Sequence, residues 1–166
     1  MAVVTTKSTA ITNRDATPVV LNNGAIIRGD AKRTIGVVAV ANGDSVGSKY
    51  IHCSIPSNAV VYSCSFSCPD IGTTTAGDIG LYQTTANGGA VVDADFFKAA
   101  NVFNAGAVNK SEIVNGNVIT VANAEKRIWE HLGLSSDPGI LYDVCTTLTG
   151  AADAAGSILV EVIFDE

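Results

Sequence analysis

The chain has 166 residues, 47% of them apolar, which suits one domain with a substantial core. Only 16% are charged, against about 25% in an ordinary globular domain, and the net charge is −6. An acidic chain argues against a nucleic-acid groove, which needs clustered Lys and Arg, and the longest aliphatic run, 37–41, is far short of the roughly 20 residues of a membrane helix. Neither nucleic acid nor a membrane is therefore expected as a partner.

The N-terminal Met-Ala-Val-Val-Thr-Thr-Lys carries no apolar block of signal-peptide length, so synthesis in the cytoplasm is expected. Charge is unevenly placed. Residues 1–33 hold Lys7, Arg14, Arg28, Lys32 and Arg33 against Asp15 and Asp30, a net +3, which leaves −9 on the remainder. A basic leader on an acidic body points to different neighbours for the two parts. Low charge over the whole chain also fits a surface that faces protein subunits rather than water.

Residues 1–33 show no sustained apolar period and are rich in Thr, Asn and Gly. They read as an extended arm with short strands near Val19–Leu21 and Ala25–Ile27. From 34 onward the chain reads as strands: Thr34–Ala41, apolar on both faces; Ser48–Ser54 after the turn Asn42-Gly43-Asp44; and Val60–Cys68. Alternation in Val60–Cys68 puts Tyr62, Cys64, Phe66 and Cys68 on one face, with Val61 and Ser63, Ser65 and Ser67 on the other. Asp78–Gln83, Asn117–Val121, Ile140–Thr149 and Ser157–Phe164 complete the set, the last with Ile158, Val160, Val162 and Phe164 together.

Two segments read as helical. Asp93–Ala100 has an acid at its start. Asn123–Leu132 has Asn123 as a cap, a stripe of Ala124, Ile128 and Leu132, Trp129 packing inward, and Gly133 as terminator. Short strands with turns and little helix predict an all-β sandwich, jelly-roll-like, over 34–166, with one short principal α-helix and the N-terminal arm over 1–33.

Catalytic and metal chemistry find little support. Gly43-Asp44-Ser45-Val46-Gly47 resembles a serine-hydrolase nucleophile segment, but no His follows His131 to serve as base. His52 and Cys53 are strand neighbours that point apart, and His131, in a last helical turn, is expected to favour its proton. Asp93 and Asp95 read as helix-start acids. Cys64 and Cys68 lie about 13 Å apart along a strand, too far for a disulfide or shared zinc. All four cysteines, Cys53, Cys64, Cys68 and Cys145, are expected as free thiols, with no cofactor and no metal.

Three segments carry a resemblance. The first is Thr5–Pro18, with Ala10-Ile11-Thr12-Asn13-Arg14-Asp15-Ala16-Thr17-Pro18. The second runs from Asp78-Ile79-Gly80-Leu81-Tyr82-Gln83 through Gly88-Gly89-Ala90 to Phe96-Phe97. The third holds Ala124-Glu125-Lys126, Trp129-Glu130, Leu132–Ser135, Asp137-Pro138-Gly139 and Tyr142-Asp143-Val144. Together they resemble a family of small tailed-bacteriophage and prophage head proteins that decorate or cement the capsid. The resemblance implies a non-enzymatic sandwich on the outer surface of the virion, with the major capsid protein and copies of itself, as a dimer or trimer, for partners.

Within the arm, Arg14 and Asp15 are the expected polar anchors to a partner subunit, Val19, Leu21 and Ile27 the expected apolar ones, with Arg28 beside them. Two other readings stay open from the sequence. One is a phage tail-associated or receptor-binding β module, disfavoured by only 6% aromatic residues; the other is a small hydrolase.

Overall fold

Apolar residues recurring at alternate positions can be buried only by stacking one sheet on another, and that is how this chain folds. The computed structural model describes residues 6–22, 30–99, 103, 106–114 and 118–166, in two compact units divided after Asp30. The second unit holds eight strands: β1 (Lys32–Val40), β2 (Lys49–Pro56), β3 (Val60–Cys68), β4 (Ala76–Gln83), β5 (Val91–Lys98), β6 (Val108–Glu112), β7 (Leu141–Gly150) and β8 (Gly156–Asp165). They form two four-stranded antiparallel sheets, β1-β8-β3-β6 and β2-β7-β4-β5. Eight strands distributed in this order between two sheets make the all-β sandwich a jelly roll.

β8 lies inside the first sheet with Ile158, Val160, Val162 and Phe164 turned to the core. β7 and β4 answer from the second sheet with Tyr142, Val144, Leu148, Ile79 and Leu81. Each such side chain, fully buried, contributes roughly 1.5–3 kcal/mol against exposure. Aromatic pairs fill the remaining space edge to face, Phe66 on Phe103 at 5.6 Å and Phe96 on Phe97 at 5.0 Å.

β3 departs from simple alternation. Its register against β8 slips between Val61 and Ser63, a bulge at Tyr62. The slip reverses the parity: Val61 faces the core with Cys64, Phe66 and Cys68, while Tyr62 is exposed. Tyr62 therefore does not share the core face of Cys64.

The segment read as a helix at Asp93–Ala100 is strand β5 up to Lys98. Its register to β4 jumps from Leu81–Asp93 to Ile79–Lys98, so the strand bulges outward, and the bulge lets the consecutive Phe96 and Phe97 both be buried. Asp93 caps no helix; its carboxylate accepts from the Asp95 N–H at 3.3 Å.

The long connection from β6 to β7 carries a helix, α2, of only four residues, Ile128–His131. Asn123 does not start it. The Asn123 amide instead closes an earlier turn, accepting from the Thr120 N–H at 2.5 Å and donating to the Val118 carbonyl at 2.9 Å. Ala124 is exposed, Ile128 is fully buried, and Trp129 is half-buried with its Nε1 unpartnered, so Ile128 rather than Trp129 anchors the helix. Gly133 ends it with φ 70°, the left-handed backbone that glycine tolerates, and the Leu134 N–H returns to the Trp129 carbonyl at 3.0 Å. The strand expected at Asn117–Val121 is absent at 118–121, where Ile119 makes an isolated bridge; residue 117 lies outside the described residues.

Candidate interaction surfaces

The first unit is not wholly extended. Ser8 caps a helix, α1 (Thr9–Arg14), its hydroxyl accepting from the Ile11 N–H at 3.4 Å. The chain then turns back on itself. Asn13 donates from its amide to Asn22 Oδ1 at 2.7 Å, Asn22 donates to the Ala10 carbonyl at 3.1 Å, and the Val20 N–H donates to the Asn13 carbonyl at 3.1 Å. The result is a small hook over residues 7–22. None of its described residues is buried, and Val19, Val20 and Leu21 stand exposed in succession, Val19 at 64% and Leu21 at 91%.

The predicted anchors divide in this hook. Asp15 binds Arg14 Nε at 2.8 Å and Lys7 Nζ at 2.9 Å, and these two cations hold its carboxyl below the usual range. Arg14 and Asp15 therefore satisfy each other, whereas Val19 and Leu21 are bare. Ile27 and Arg28 lie outside the described residues.

A second apolar surface, which the site reading missed, is the outer face of the first sheet. β1 turns Thr34, Gly36, Val38 and Val40 inward and Arg33, Ile35, Val37 and Ala39 outward. Ile35 and Val37 are exposed, Val37 at 62%, and register sets Arg33, Ile35 and Val37 against Ile163, Glu161 and Leu159 of β8. Glu161 is tucked down, its side chain 9% exposed, bonded to Arg33 at 3.1 Å with Lys110 at 3.7 Å, and both cations lower its pKa. The signal was in the sequence: Thr34–Ala41 is apolar on both faces, and an outer face of that kind needs cover.

The outer face of the second sheet largely satisfies itself. The Tyr82 hydroxyl lies 2.6 Å from Thr147 Oγ1, with Lys49 Nζ 4.7 Å from the ring centroid. Ser54 donates to Asp143 at 2.6 Å. At its margin, β5 exposes Val91 beside Asp93 and Asp95. A shallow depression of about 170 Å³ lies elsewhere, between Tyr62 and Val61 of β3 and Val114, Ile119 and Val121.

The groups considered for chemistry are engaged in structure. His52, the extra residue in a β2 bulge, places Nε2 2.9 Å from the fully buried Thr146 Oγ1, and desolvation lowers its pKa to about 4. His131 does not favour its proton: burial, then nearby Lys126, lowers its pKa, and its ring stacks edge-on to Phe96 at 5.9 Å. Asp44 of the Gly-Asp-Ser segment accepts from the Ala41 N–H at 2.9 Å and the Tyr50 hydroxyl at 2.7 Å, so the segment is a turn between β1 and β2. All four cysteines are free thiols, and burial raises each pKa, that of Cys53 to about 11. Among the described residues no cluster of His, Cys, Asp or Glu is arranged to hold a metal, and no helix is long and apolar enough to cross a membrane.

What the fold and surfaces define is a jelly-roll body and a short N-terminal unit none of whose described residues is buried. Among solved structures, this fold is similar to a chain of the cyanophage Pam1 capsid asymmetric unit, with TM-score 0.57 and 19% identity over 88% of this chain and 91% of that one. It is also similar to a chain of the capsid of Ralstonia phage GP4, with TM-score 0.56 and 13% identity over 83% and 85%. At such identities the likeness is one of fold. No protein-family model matches the chain. No curated protein matches its sequence.

Proposed function

We propose that this chain is a non-enzymatic structural protein of a bacteriophage head, which decorates the outer capsid surface and cements it by bridging major capsid protein subunits. The observation that carries the reading is the N-terminal hook over residues 7–22, which makes backbone hydrogen bonds within itself while exposing Val19, Val20 and Leu21, with none of its described residues buried. Apolar residues presented in this way gain free energy only against a partner. The likeness of the body to chains in two phage capsid assemblies supports the kind of partner.

Cementing needs a stiff body, an adhesive segment and many symmetry-related copies, so that modest contacts add through avidity. The bulge-pinned sandwich supplies the first and the hook the second. Copies of the chain associate with one another on the shell, and the virion surface is where the protein resides. The experiment is electron microscopy of shells assembled with and without the protein, followed by heating. Added density outside the shell, with later shell rupture on heating, is the expected result; density inside the shell, on the tail or nowhere would refute the reading.

A further inference from the structure

The outer face of the first sheet is laid out in rows, because its strands pair in register. Ile35, Glu161, Ser65 and Glu112 stand side by side across β1, β8, β3 and β6. Val37, Leu159 and Ser67 form the next row, and the Lys110 N–H donates to the Ser67 hydroxyl at 2.8 Å, which sets Lys110 at its β6 end. Each row thus has an exposed aliphatic residue at its β1 end and a charge at its β6 end. The two end charges are opposite, Glu112 in one row and Lys110 in the next. Only serines separate them from β8, so nothing bulky on β3 obstructs a close approach.

The charges of this face are unevenly matched within one copy. Glu161 serves two cations, Arg33 at 3.1 Å and Lys110 at 3.7 Å. Lys110 can therefore swing away without stranding that carboxylate, and 66% of its side chain is exposed. Glu112 is exposed, and among the described residues no cation stands within ion-pair distance of it. Its carboxylate accepts from neutral donors, the Ser63 hydroxyl at 2.5 Å and the N–H groups of Cys64 and Val114 at 3.0 Å each. The face thus holds a surplus cation in one row and a surplus anion in the next, beside an uncovered apolar strip.

We propose that two copies of the chain pack these faces on each other about a two-fold axis that runs across the strands, between the two rows. The rotation lays each row on the other. Ile35 of one copy meets Val37 of the second, Ser65 meets Ser67, and Glu112 meets Lys110, with every contact made twice. Leu159 meets the Arg33 side chain that reaches to Glu161. Sheets stacked face to face lie about 10 Å apart, close enough for these side chains to interdigitate. A two-fold axis along the strands would instead lay Ile35 and Val37 on Lys110 and Glu112, covering charge with apolar surface and no counter-charge. The inference rests on the self-association within the proposed function and names its surface. Its test uses free protein, so its failure leaves shell binding untouched.

The experiment measures the mass of the full chain in solution by sedimentation, across a concentration series. Wild-type protein is expected to approach twice 17.0 kDa, with association weakening as salt rises. Val37→Glu, at an exposed position, is expected to weaken association at least about tenfold while melting normally. Lys110→Glu and Glu112→Lys each set like charges together and should weaken it to a similar degree. Mixing these last two restores the pairing, since two carboxylates of the first then face two ammonium groups of the second, and a dimer with one of each is expected. If Glu112→Lys fails to fold, having lost the acceptor for Cys64 and Val114, Glu112→Gln keeps an acceptor and should weaken association while removing its salt dependence. A wild type that stays monomeric or stops at any number other than two would overturn the proposal. So would variants that associate as wild type does, or a mixture no better than either variant alone. A monomeric wild type whose Val37→Glu variant loses shell binding would hand the face to the shell protein and overturn it equally.

Discussion

Gly36 of β1 lies directly against the backbone of His52 on β2: a Cβ placed on Gly36 would stand 1.9 Å from the His52 carbonyl oxygen. The two strands belong to different sheets, so this approach closes one corner of the sandwich. No side-chain rotation relieves an overlap with backbone. Gly36→Ala is therefore expected to cost about 3 kcal/mol, the upper part of the range for overpacking. Chemical unfolding would check it, and a loss below about 1 kcal/mol would show that the corner can open without cost.

The same corner holds a titrating group. In the unfolded chain His52 takes its proton near pH 6.5; in the folded protein burial delays this to about pH 4. Between those values the unfolded state binds the extra proton, so stability falls as pH drops from about 6.5 to about 4, by at most about 3 kcal/mol, and the effect levels off below. His131 acts in the same direction. The carboxylates of Asp44, Asp137 and Glu161, whose pKa values are lowered by hydrogen bonds from Tyr50, Ser57 and Arg33, add their loss at still lower pH. Melting temperature against pH should thus decline below neutrality, be flat just above it, and decline again beyond about pH 9, where the thiols of the unfolded chain ionise and the buried ones do not. His52→Gln should flatten the upper part of that decline; an unchanged profile would assign the decline elsewhere.

At the β3 bulge the expected ranking of two neighbouring truncations is set by the register. Val61→Ala should cost about 2 kcal/mol, because Val61 is buried in the core. Tyr62→Ala should stay within about 1 kcal/mol, because Tyr62 is exposed. Equal losses, or a larger one for Tyr62, would mean that β3 runs without the bulge in solution.

Alternation made β8 legible, since its inward residues run unbroken from Ile158 to Phe164 against a regular partner in β1. Turn chemistry at Asn42-Gly43-Asp44 and the Gly133 terminator were legible because they act over a few residues. What was not legible depended on partners distant in sequence. The Tyr62 bulge follows from pairing with β8, a hundred residues on, and the β5 bulge from pairing with β4. Asn123 is a good helix cap by type, yet its amide is spent on the preceding turn. For the candidate surfaces, the exposed aliphatics of the hook were readable from composition, whereas the mutual pairing of Arg14 and Asp15 is local geometry. The outward placement of Ile35 and Val37 needed the sheet.

The last prediction concerns the hook. Burying Val19, Val20 and Leu21 on a partner offers up to roughly 1.5–3 kcal/mol per side chain, offset in part by the cost of ordering the segment. Leu21 is the most exposed of the three and should carry the largest share. Leu21→Ala is expected to weaken shell binding about tenfold per site, close to 1.4 kcal/mol, with the melting temperature unchanged. Arg14→Ala should do less to binding, because Arg14 is already paired with Asp15 at 2.8 Å. Deleting residues 2–30 removes the whole unit at the division between the two compact parts. The truncated protein is expected to fold with the cooperative melt of the jelly roll and to bind shells far more weakly. A truncated protein that still decorates shells at full occupancy would take the adhesive role away from the hook. One that fails to fold would make these residues part of the body's own stability rather than its attachment.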